Sequence, residues 1–267
     1  MVSLSLRAFW KVRSLIRRLI QFSSFLSPAY LLEDQLNRFK ALGLERQESP
    51  PTSLWKGSEH WPLFRALAKN FEATAGSPRK ILEIGALDGS FTRELSELFP
   101  NSLITTIDLP SDVGFGNEYG WTDAETYVSE RKKNLRGRKN INFVEANSLE
   151  LTEWTETFDL IWVDGDHSLP TVAIDIANAL RLVAKGGTVA IDDVFLKTPE
   201  PESPLASTGA LRALESFHSA GGITDYSLVR KRLSPRKNLK WNTKFIAVVR
   251  ASDNDEPSAE PSSESSL

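Results

Sequence analysis

Short apolar runs alternate with amphipathic stretches through the middle of the chain. Five runs consist mainly of aliphatic and β-branched residues, the composition of strands buried on both faces of a parallel sheet. They are residues 81–84, 103–108, 141–145, 160–164 and 188–192. Apolar residues at helical spacing separate them at 91–98, 124–135 and 171–184, and Gly186 and Gly187 are expected to end the last of these helices.

The pattern changes towards the C-terminus. A further helix is expected at 211–219, and strands at 226–233 and 245–250 flank a polar loop. Such a pair adds an antiparallel edge to a parallel sheet. Residues 79–250 therefore predict an α/β domain with a doubly wound, Rossmann-like, mostly parallel seven-stranded sheet and a C-terminal antiparallel hairpin. Its ligand is expected at the carboxyl ends of the strands.

Two helical segments precede this domain. Residues 1–32 carry five basic and no acidic side chains, with their apolar residues on one arc, which predicts an amphipathic basic helix. Three roles fit this helix: contact with a membrane surface, a targeting peptide, or packing on the domain or on a second subunit of a homo-oligomer. Residues 33–78 predict a helical lead-in. Its apolar stripe, which indicates a buried face, consists of Trp61, Phe64, Leu67 and Phe71.

Composition excludes several classes of function. The net charge of -3 disfavours a nucleic-acid partner, and the absence of cysteine excludes disulfides, zinc–thiolate sites and iron–sulfur clusters. No uncharged run is long enough to span a bilayer, so a cytoplasmic protein is expected, with membrane contact through residues 1–32 as an added role. Residues 251–267 are rich in Ser, Pro and acidic residues and predict a disordered tail.

The first predicted strand leads into a glycine turn. Two glycines let the backbone turn tightly and approach a ligand, while the start of the following helix presents free amide groups. Asp108 ends the second strand about 20 residues later, the spacing at which a carboxylate binds the two hydroxyls of a ribose. The residues expected to form this cradle are Glu83, Gly85, Ala86, Asp88 and Gly89.

The spacing of the glycines limits the kind of nucleotide that the turn can bind. Three residues separate Gly85 from Gly89, and Glu83 stands where a dinucleotide motif has its first glycine. An adenosine without phosphates therefore fits better than a dinucleotide, which argues against an NAD-dependent oxidoreductase. Asn147 and Ser148 follow the third strand and supply amide and hydroxyl groups for the edge of an adenine.

Carboxylates and one imidazole follow the fourth and fifth strands. They are Asp164, Asp166, His167, Asp192 and Asp193. Because the carboxyl ends of parallel strands meet at one edge of the sheet, so much negative charge requires a cation or protons to neutralise it. Mg²⁺ prefers carboxylate oxygens, and Asp164, Asp192 and Asp193 are the candidate ligands.

Four segments in this order and spacing carry a family resemblance: ILEIGALDGS, TIDLP, LIWVDGDH and GGTVAIDDV. Together they resemble a class I S-adenosylmethionine-dependent methyltransferase. More narrowly, the DGDH segment and the Asp pair resemble the metal-dependent O-methyltransferases of the macrocin and aminocoumarin sugar type, with catechol O-methyltransferase a more distant relative. The resemblance covers residues 79–250.

The resemblance implies roles for the residues that match. The methionine part of S-adenosylmethionine would lie against the glycine turn, the ribose on Asp108 and the adenine at Asn147 and Ser148, with Asp164 beside the cofactor. It also implies a magnesium ion on the three aspartates that holds the acceptor oxygen beside the sulfonium methyl group. Asp166 and His167 both lie where enzymes of this type place the catalytic base, and the sequence does not choose between them.

The function predicted in this way is Mg²⁺-assisted O-methylation of a small-molecule hydroxyl. One alternative is a metal-independent methyltransferase that acts on a nitrogen or an oxygen, and another is an inactive cofactor-binding module tethered to a membrane. Residues 110–123 contain glycines and aromatic residues, which favours a loop that closes over the site. Residues 195–208 follow the Asp pair and are expected to select the acceptor.

Overall fold

The computed structural model describes residues 28–49, 58–73, 79–110, 124–198, 202–203, 206–233 and 244–251. Several predictions lie wholly or mostly outside these residues: the basic helix, the acidic tail and the closing loop at 110–123. Within the described part of the chain, no helix is both long and apolar enough to cross a membrane.

Among the described residues, seven strands form one sheet in the order β3-β2-β1-β4-β5-β7-β6. Strands β1 to β5 are parallel, and β7 runs antiparallel between β5 and β6. The predicted fold class is confirmed, and the strand order reverses between β1 and β4, where doubly wound sheets bind their ligands. The strands are β1 (Lys80–Ile84), β2 (Leu103–Asp108), β3 (Ile141–Glu145), β4 (Phe158–Val163), β5 (Val183–Phe195), β6 (Tyr226–Arg230) and β7 (Lys244–Arg250).

Helices cover both faces of the sheet because side chains alternate along its central strands. Ile81 and Trp162 contribute to a core shared with the helices before and after β1, whereas their neighbours Leu82 and Val163 contribute to a core with the helix after β4. The helices are α1 (Pro28–Ala41), α2 (His60–Ala73), α3 (Ser90–Leu98), α4 (Ala124–Leu135), α5 (Thr171–Leu182) and α6 (Gly209–Ser219), with a short 3₁₀ helix at Ser148–Glu153.

The predicted end of the helix at 171–184 is wrong. α5 ends at Leu182, and the chain is already extended at Val183, which pairs with Phe158 of β4. Val183 is β-branched and favours a strand. Gly186, with φ +71°, lies inside β5 instead of capping the helix, next to a register shift between β4 and β5.

The lead-in packs on the antiparallel edge of the sheet. Gln35 of α1 joins β6 through both of its amide atoms: Nε2 donates to the carbonyl of Arg230 (3.1 Å), and Oε1 accepts from the Arg230 N–H (2.9 Å). Asp34 accepts from the Arg230 side chain at 2.5 Å. α1 therefore crosses the boundary predicted at residue 32. The apolar stripe on α2 faces the core as expected, with Phe64 and Leu67 fully buried.

Candidate active site

The turn after β1 joins the ends of three strands. The Gly85 N–H donates to the carbonyl of Ile107 in β2 (2.9 Å), and the Asp164 N–H donates to the carbonyl of Ile84 (2.8 Å). Gly85 has φ +100°, and a Cβ there would lie 2.3 Å from the Asp164 carbonyl oxygen. The close approach that requires glycine here is therefore between two strand ends, and it holds Asp164 beside the turn.

Glu83 is buried in β1 and lacks a full set of hydrogen bonds. Its Oε2 accepts from the hydroxyls of Thr92 and Thr106, each at 2.5 Å, while its Oε1 is buried with no partner among the described residues. Burial raises the pKa of Glu83 to about 7, although the two threonine hydroxyls oppose the shift. A buried acceptor oxygen of this kind fits a ligand that brings an ammonium group.

Asp108 ends β2 with both carboxylate oxygens already in use. Oδ2 accepts from the Leu87 N–H and lies 3.4 Å from Arg131 Nη1, while Oδ1 accepts from the Leu109 N–H at 2.7 Å. Burial raises the pKa of Asp108 in spite of these donors. Each carboxylate oxygen has a second lone pair, so the group still fits the two hydroxyls of a ribose.

Three other residues expected at the cofactor make local contacts. Asp88 Oδ1 accepts from the Ser90 N–H (2.9 Å) at the start of α3. Asn147 caps the 3₁₀ helix, where its Oδ1 accepts from the Leu149 N–H (3.0 Å). Asn178 Nδ2 donates to the carbonyl of Ser148 at 3.3 Å. These residues lie at the predicted edge of the sheet, and their described contacts stabilise the loops that follow β1 and β3.

A bulge in β5 brings two neighbouring carboxylates together. Adjacent side chains of a regular strand point to opposite faces, so Asp192 and Asp193 would normally diverge. The pairing of β5 with β7 shifts register between Ile191 and Val194, and Asp193 adopts φ +52°. This left-handed conformation, rare for a residue with a Cβ, turns both carboxylates towards one ammonium group.

That ammonium group is Lys231, the residue after β6. Its Nζ donates to Asp192 Oδ2 (2.5 Å) and to Asp193 Oδ1. Lys244, the first residue of β7, contacts Asp193 Oδ2 through its own Nζ. Burial alone would raise the pKa of Asp192, but Lys231 and His60 outweigh it and hold this pKa well below its usual range.

His60 reaches the same cluster from the start of α2. Its Nε2 lies 3.2 Å from Asp192 Oδ2, and its Nδ1 contacts the Ser58 hydroxyl. The ring packs edge-on against Trp162, with the centroids 5.6 Å apart. Burial lowers the pKa of His60. The helical lead-in therefore forms one wall of the candidate site.

His167 lies between Asp164, which follows β4, and Asp193 of β5. Its Nε2 lies 3.6 Å from Asp164 Oδ1 and 3.7 Å from Asp193 Oδ2, and its Nδ1 is buried with no partner among the described residues. Burial lowers the pKa of His167 even though Asp193 and Asp192 oppose this, so the neutral, proton-accepting form is favoured. Gly209 lets α6 approach this turn, since a Cβ there would lie 2.8 Å from the His167 carbonyl oxygen.

Asp166 and Asp164 have different surroundings. Asp166 Oδ1 accepts from both the N–H (2.8 Å) and the hydroxyl (2.7 Å) of Ser168, so it closes the turn. Asp164 is directed at the cluster instead. Burial and the neighbouring Asp192 raise its pKa well above its usual range. Of the two candidate bases, only His167 lies between the carboxylates.

The donor set that the sequence offers for magnesium does not fit that ion in this structure. Lys231 and Lys244 contact three of the four carboxylate oxygens of Asp192 and Asp193. Among the described residues, no group of three acidic or imidazole side chains is arranged to hold a metal ion. The expected ligands are present, but ammonium groups of the chain hold them.

Sequence reasoning missed Lys231, Lys244 and His60. One signal for the lysines was available, because the predicted antiparallel pair places the end of β6 and the start of β7 beside the end of β5. A basic residue at each of those positions therefore faces the Asp pair. No local pattern marks His60, because its position depends on how the lead-in packs.

The middle of the chain is similar to a known family of enzymes. Residues 82–194 match a family model described as a methyltransferase domain. The matched segment runs from β1 to β5 and contains every residue that the sequence proposed for the site. Lys231, Lys244 and His60 lie outside it.

Solved structures of low sequence identity share the fold. Cofactor-bound Rv0187 from MTB is 18% identical with a TM-score of 0.51, over 83% of this chain and 90% of that chain. A protein from Staphylococcus aureus described as a caffeoyl-CoA O-methyltransferase is 13% identical with a TM-score of 0.51, over 88% of this chain and 98% of that chain. Residues 82–194 therefore carry a methyltransferase domain, and this match together with the sheet order supports an S-adenosylmethionine-dependent methyltransferase.

Proposed function

We propose that this enzyme methylates a hydroxyl oxygen of a small-molecule acceptor, with His167 as the base. The observation that carries the proposal is the position of His167. Its Nε2 lies within 4 Å of both Asp164 and Asp193, at the edge of the sheet where the strand order reverses. Bound S-adenosylmethionine supplies an electrophilic methyl group on a sulfonium sulfur.

The cofactor is assigned to the ends of β1, β2 and β3. The buried Oε1 of Glu83 supports a contact with the ammonium of the methionine part, and the free lone pairs of Asp108 support contacts with the ribose. The remaining residues proposed around the cofactor are Gly85, Ala86, Asp88, Gly89, Asn147, Ser148 and Asp164.

A base supported by carboxylates favours oxygen as the acceptor atom. A hydroxyl is a weak nucleophile until it loses its proton, whereas a neutral amine already has a free lone pair. Once His167 takes that proton, the Asp193 carboxylate, 3.7 Å from Nε2, stabilises the imidazolium. Asp166 is the weaker candidate for the base because the turn at Ser168 already engages its carboxylate.

The proposal leaves out the magnesium ion that the resemblance implied. The ammonium contacts of Asp192 and Asp193 support the metal-independent alternative, and no step of the proposed reaction uses a metal. Residues 1–32 keep their three candidate roles. Comparing the full chain with a chain that starts at residue 28 in liposome sedimentation tests the membrane role, which equal binding would contradict.

The test uses acceptors of matched skeleton. Phenol-type and aniline-type compounds are incubated with the enzyme and S-adenosylmethionine carrying a labelled methyl group, and product and S-adenosylhomocysteine are measured. We expect labelled ether from the phenols, lost in His167→Ala and retained in the control His218→Ala, which alters an exposed histidine of α6. Transfer to the anilines alone, or full activity of His167→Ala, would contradict the proposal.

A further inference from the structure

We propose that Lys231 and Lys244 take the place of a divalent cation in this enzyme. In this view the lysines occupy a metal site that the acidic residues would otherwise form, and methyl transfer requires no metal ion. Only the claim that methyl transfer requires no metal ion rests on the proposed function. Whether ammonium groups or a metal ion occupy the site is a property of the folded chain.

Ammonium groups already occupy most of the oxygens that a metal ion would bind. Asp192 and Asp193 offer four carboxylate oxygens, the donors that Mg²⁺ and Mn²⁺ prefer. Lys231 Nζ takes one oxygen from each aspartate, and Lys244 Nζ takes the second oxygen of Asp193. Asp192 Oδ1 is buried and has no partner among the described residues. A metal ion would have to compete with ammonium groups for nearly every oxygen of the pair.

Charge also opposes a metal ion at this cluster. The two aspartates and the two lysines together carry a net charge of zero. A divalent ion in their midst would add two positive charges to a buried site a few ångströms from both lysines, and Asp164 could offset at most one of them. Repulsion between cations is strong where water is largely excluded.

Lys231 and Lys244 are fixed in place by burial and by backbone hydrogen bonds. Both are at least nine-tenths buried. The Lys231 N–H donates to the carbonyl of Lys244 (3.1 Å), and the Lys231 carbonyl accepts from the Glu59 N–H (2.9 Å). Two strands and the lead-in thus hold the ammonium groups, which would have to move together with their backbone to admit an ion.

These lysines act as positioning residues. They hold the Asp193 carboxylate in a left-handed bulge, with Oδ2 3.7 Å from His167 Nε2. A metal ion would in addition bind the acceptor oxygen and make it more acidic. The lysines are fully engaged with the aspartates and leave proton removal to His167.

The experiment measures binding of Mn²⁺ to the full chain without cofactor or acceptor, by loss of the free-ion signal in electron paramagnetic resonance. Wild type is expected to bind no Mn²⁺ at this cluster at concentrations up to about 1 mM, well above a Kd typical of a built carboxylate site. The double variant Lys231→Met, Lys244→Met frees the carboxylates and is expected to bind one ion per chain. Adding Asp193→Asn to it should abolish that binding.

Controls separate this gain from a general loss of charge or fold. Lys132→Met with Lys139→Met removes two exposed lysines and should bind no ion, and Lys231→Arg with Lys244→Arg keeps two cations and should also bind none. Mn²⁺ should raise the melting temperature of the double Met variant but not that of wild type. If that variant does not fold, Lys244→Met alone takes its place.

Two results would overturn the proposal. One is Mn²⁺ binding by wild type that Asp193→Asn abolishes, and the other is a folded lysine variant that gains no Mn²⁺ site. Absence of methyl transfer to any acceptor would contradict the proposed function and leave these binding results as they stand.

Discussion

The two halves of the carboxyl edge stabilise their carboxylates in different ways. In the cofactor half, at the ends of β1 and β2, Glu83 and Asp108 are held mainly by hydroxyls and backbone N–H groups, with Arg131 3.4 Å from Asp108. In the acceptor half, Asp192 and Asp193 contact two buried lysines. Neutral donors leave a carboxylate able to attract a cationic ligand, whereas ammonium groups already satisfy it.

This difference suggests a division of labour. The cofactor brings a positive charge, so a half-site with unsatisfied acceptor atoms suits it. In the acceptor half, Lys231 and Lys244 already neutralise the aspartates. The group proposed to take a proton there is the imidazole of His167. Under the proposed function, this difference in charge would direct the cofactor and the acceptor to different ends of the carboxyl edge.

The largest effect is expected in the acceptor half. His167→Ala should lower kcat by roughly 10²- to 10⁴-fold, the usual contribution of a general base, and should leave S-adenosylmethionine affinity within about threefold. The measurement is single-turnover methyl transfer alongside calorimetric binding of the cofactor, with His218→Ala as the control. A parallel loss of cofactor affinity would mean that the two halves are not separate.

The second largest effect is expected at Gly85, where the two halves of the edge meet. Gly85→Ala should destabilise the fold by about 4 kcal/mol, because the new Cβ would meet the Asp164 carbonyl at 2.3 Å and the backbone has φ +100°. Gly137→Ala is the matched control: φ is +75° but nothing lies within 4 Å, so only about 1 kcal/mol is expected. Urea unfolding measures both, and equal losses would show that the contact with Asp164 is unimportant.

In the cofactor half, Glu83 should make the free energy of unfolding depend on pH. The pKa of Glu83 is raised from 4.5 to about 7 in the folded chain, so the folded state holds this proton more tightly than the unfolded state does. Its contribution to stability is complete below pH 4.5 and is lost as the pH rises towards 7, by about 3 kcal/mol in total. Glu83→Gln should lack this loss when unfolding free energies at pH 5 and pH 8 are compared. An identical pH dependence in both proteins would contradict the buried, shifted carboxyl.

The smallest effect concerns the ribose. Asp108→Asn keeps an acceptor oxygen and removes the charge, so the Kd for S-adenosylmethionine should rise roughly 30-fold, about 2 kcal/mol. Isothermal titration measures it, with the exposed Asp225→Asn as the control. Unchanged affinity would move the ribose away from β2.

The sequence predicted the two halves unequally, for a physical reason. Gly85 follows β1 directly and Asp108 ends β2, so apolar pattern and spacing place them, and the doubly wound fold class follows from the alternation of strands and helices. Lys231 reaches the site because β6 pairs with β7 and β7 pairs with β5, which the predicted antiparallel pair only indicated, and His60 reaches it because α2 packs beside β5, which no local pattern encodes. The helix predicted to continue past Leu182 failed for a similar reason, since pairing of Val183 with Phe158 overrides the helical period.

Metal-free wild-type enzyme in EDTA should transfer the labelled methyl group from S-adenosylmethionine to the phenol-type acceptors at the same rate as enzyme in Mg²⁺. His167→Ala should lose that transfer. A rate that falls to background in EDTA and returns with Mg²⁺ would contradict a metal-independent reaction.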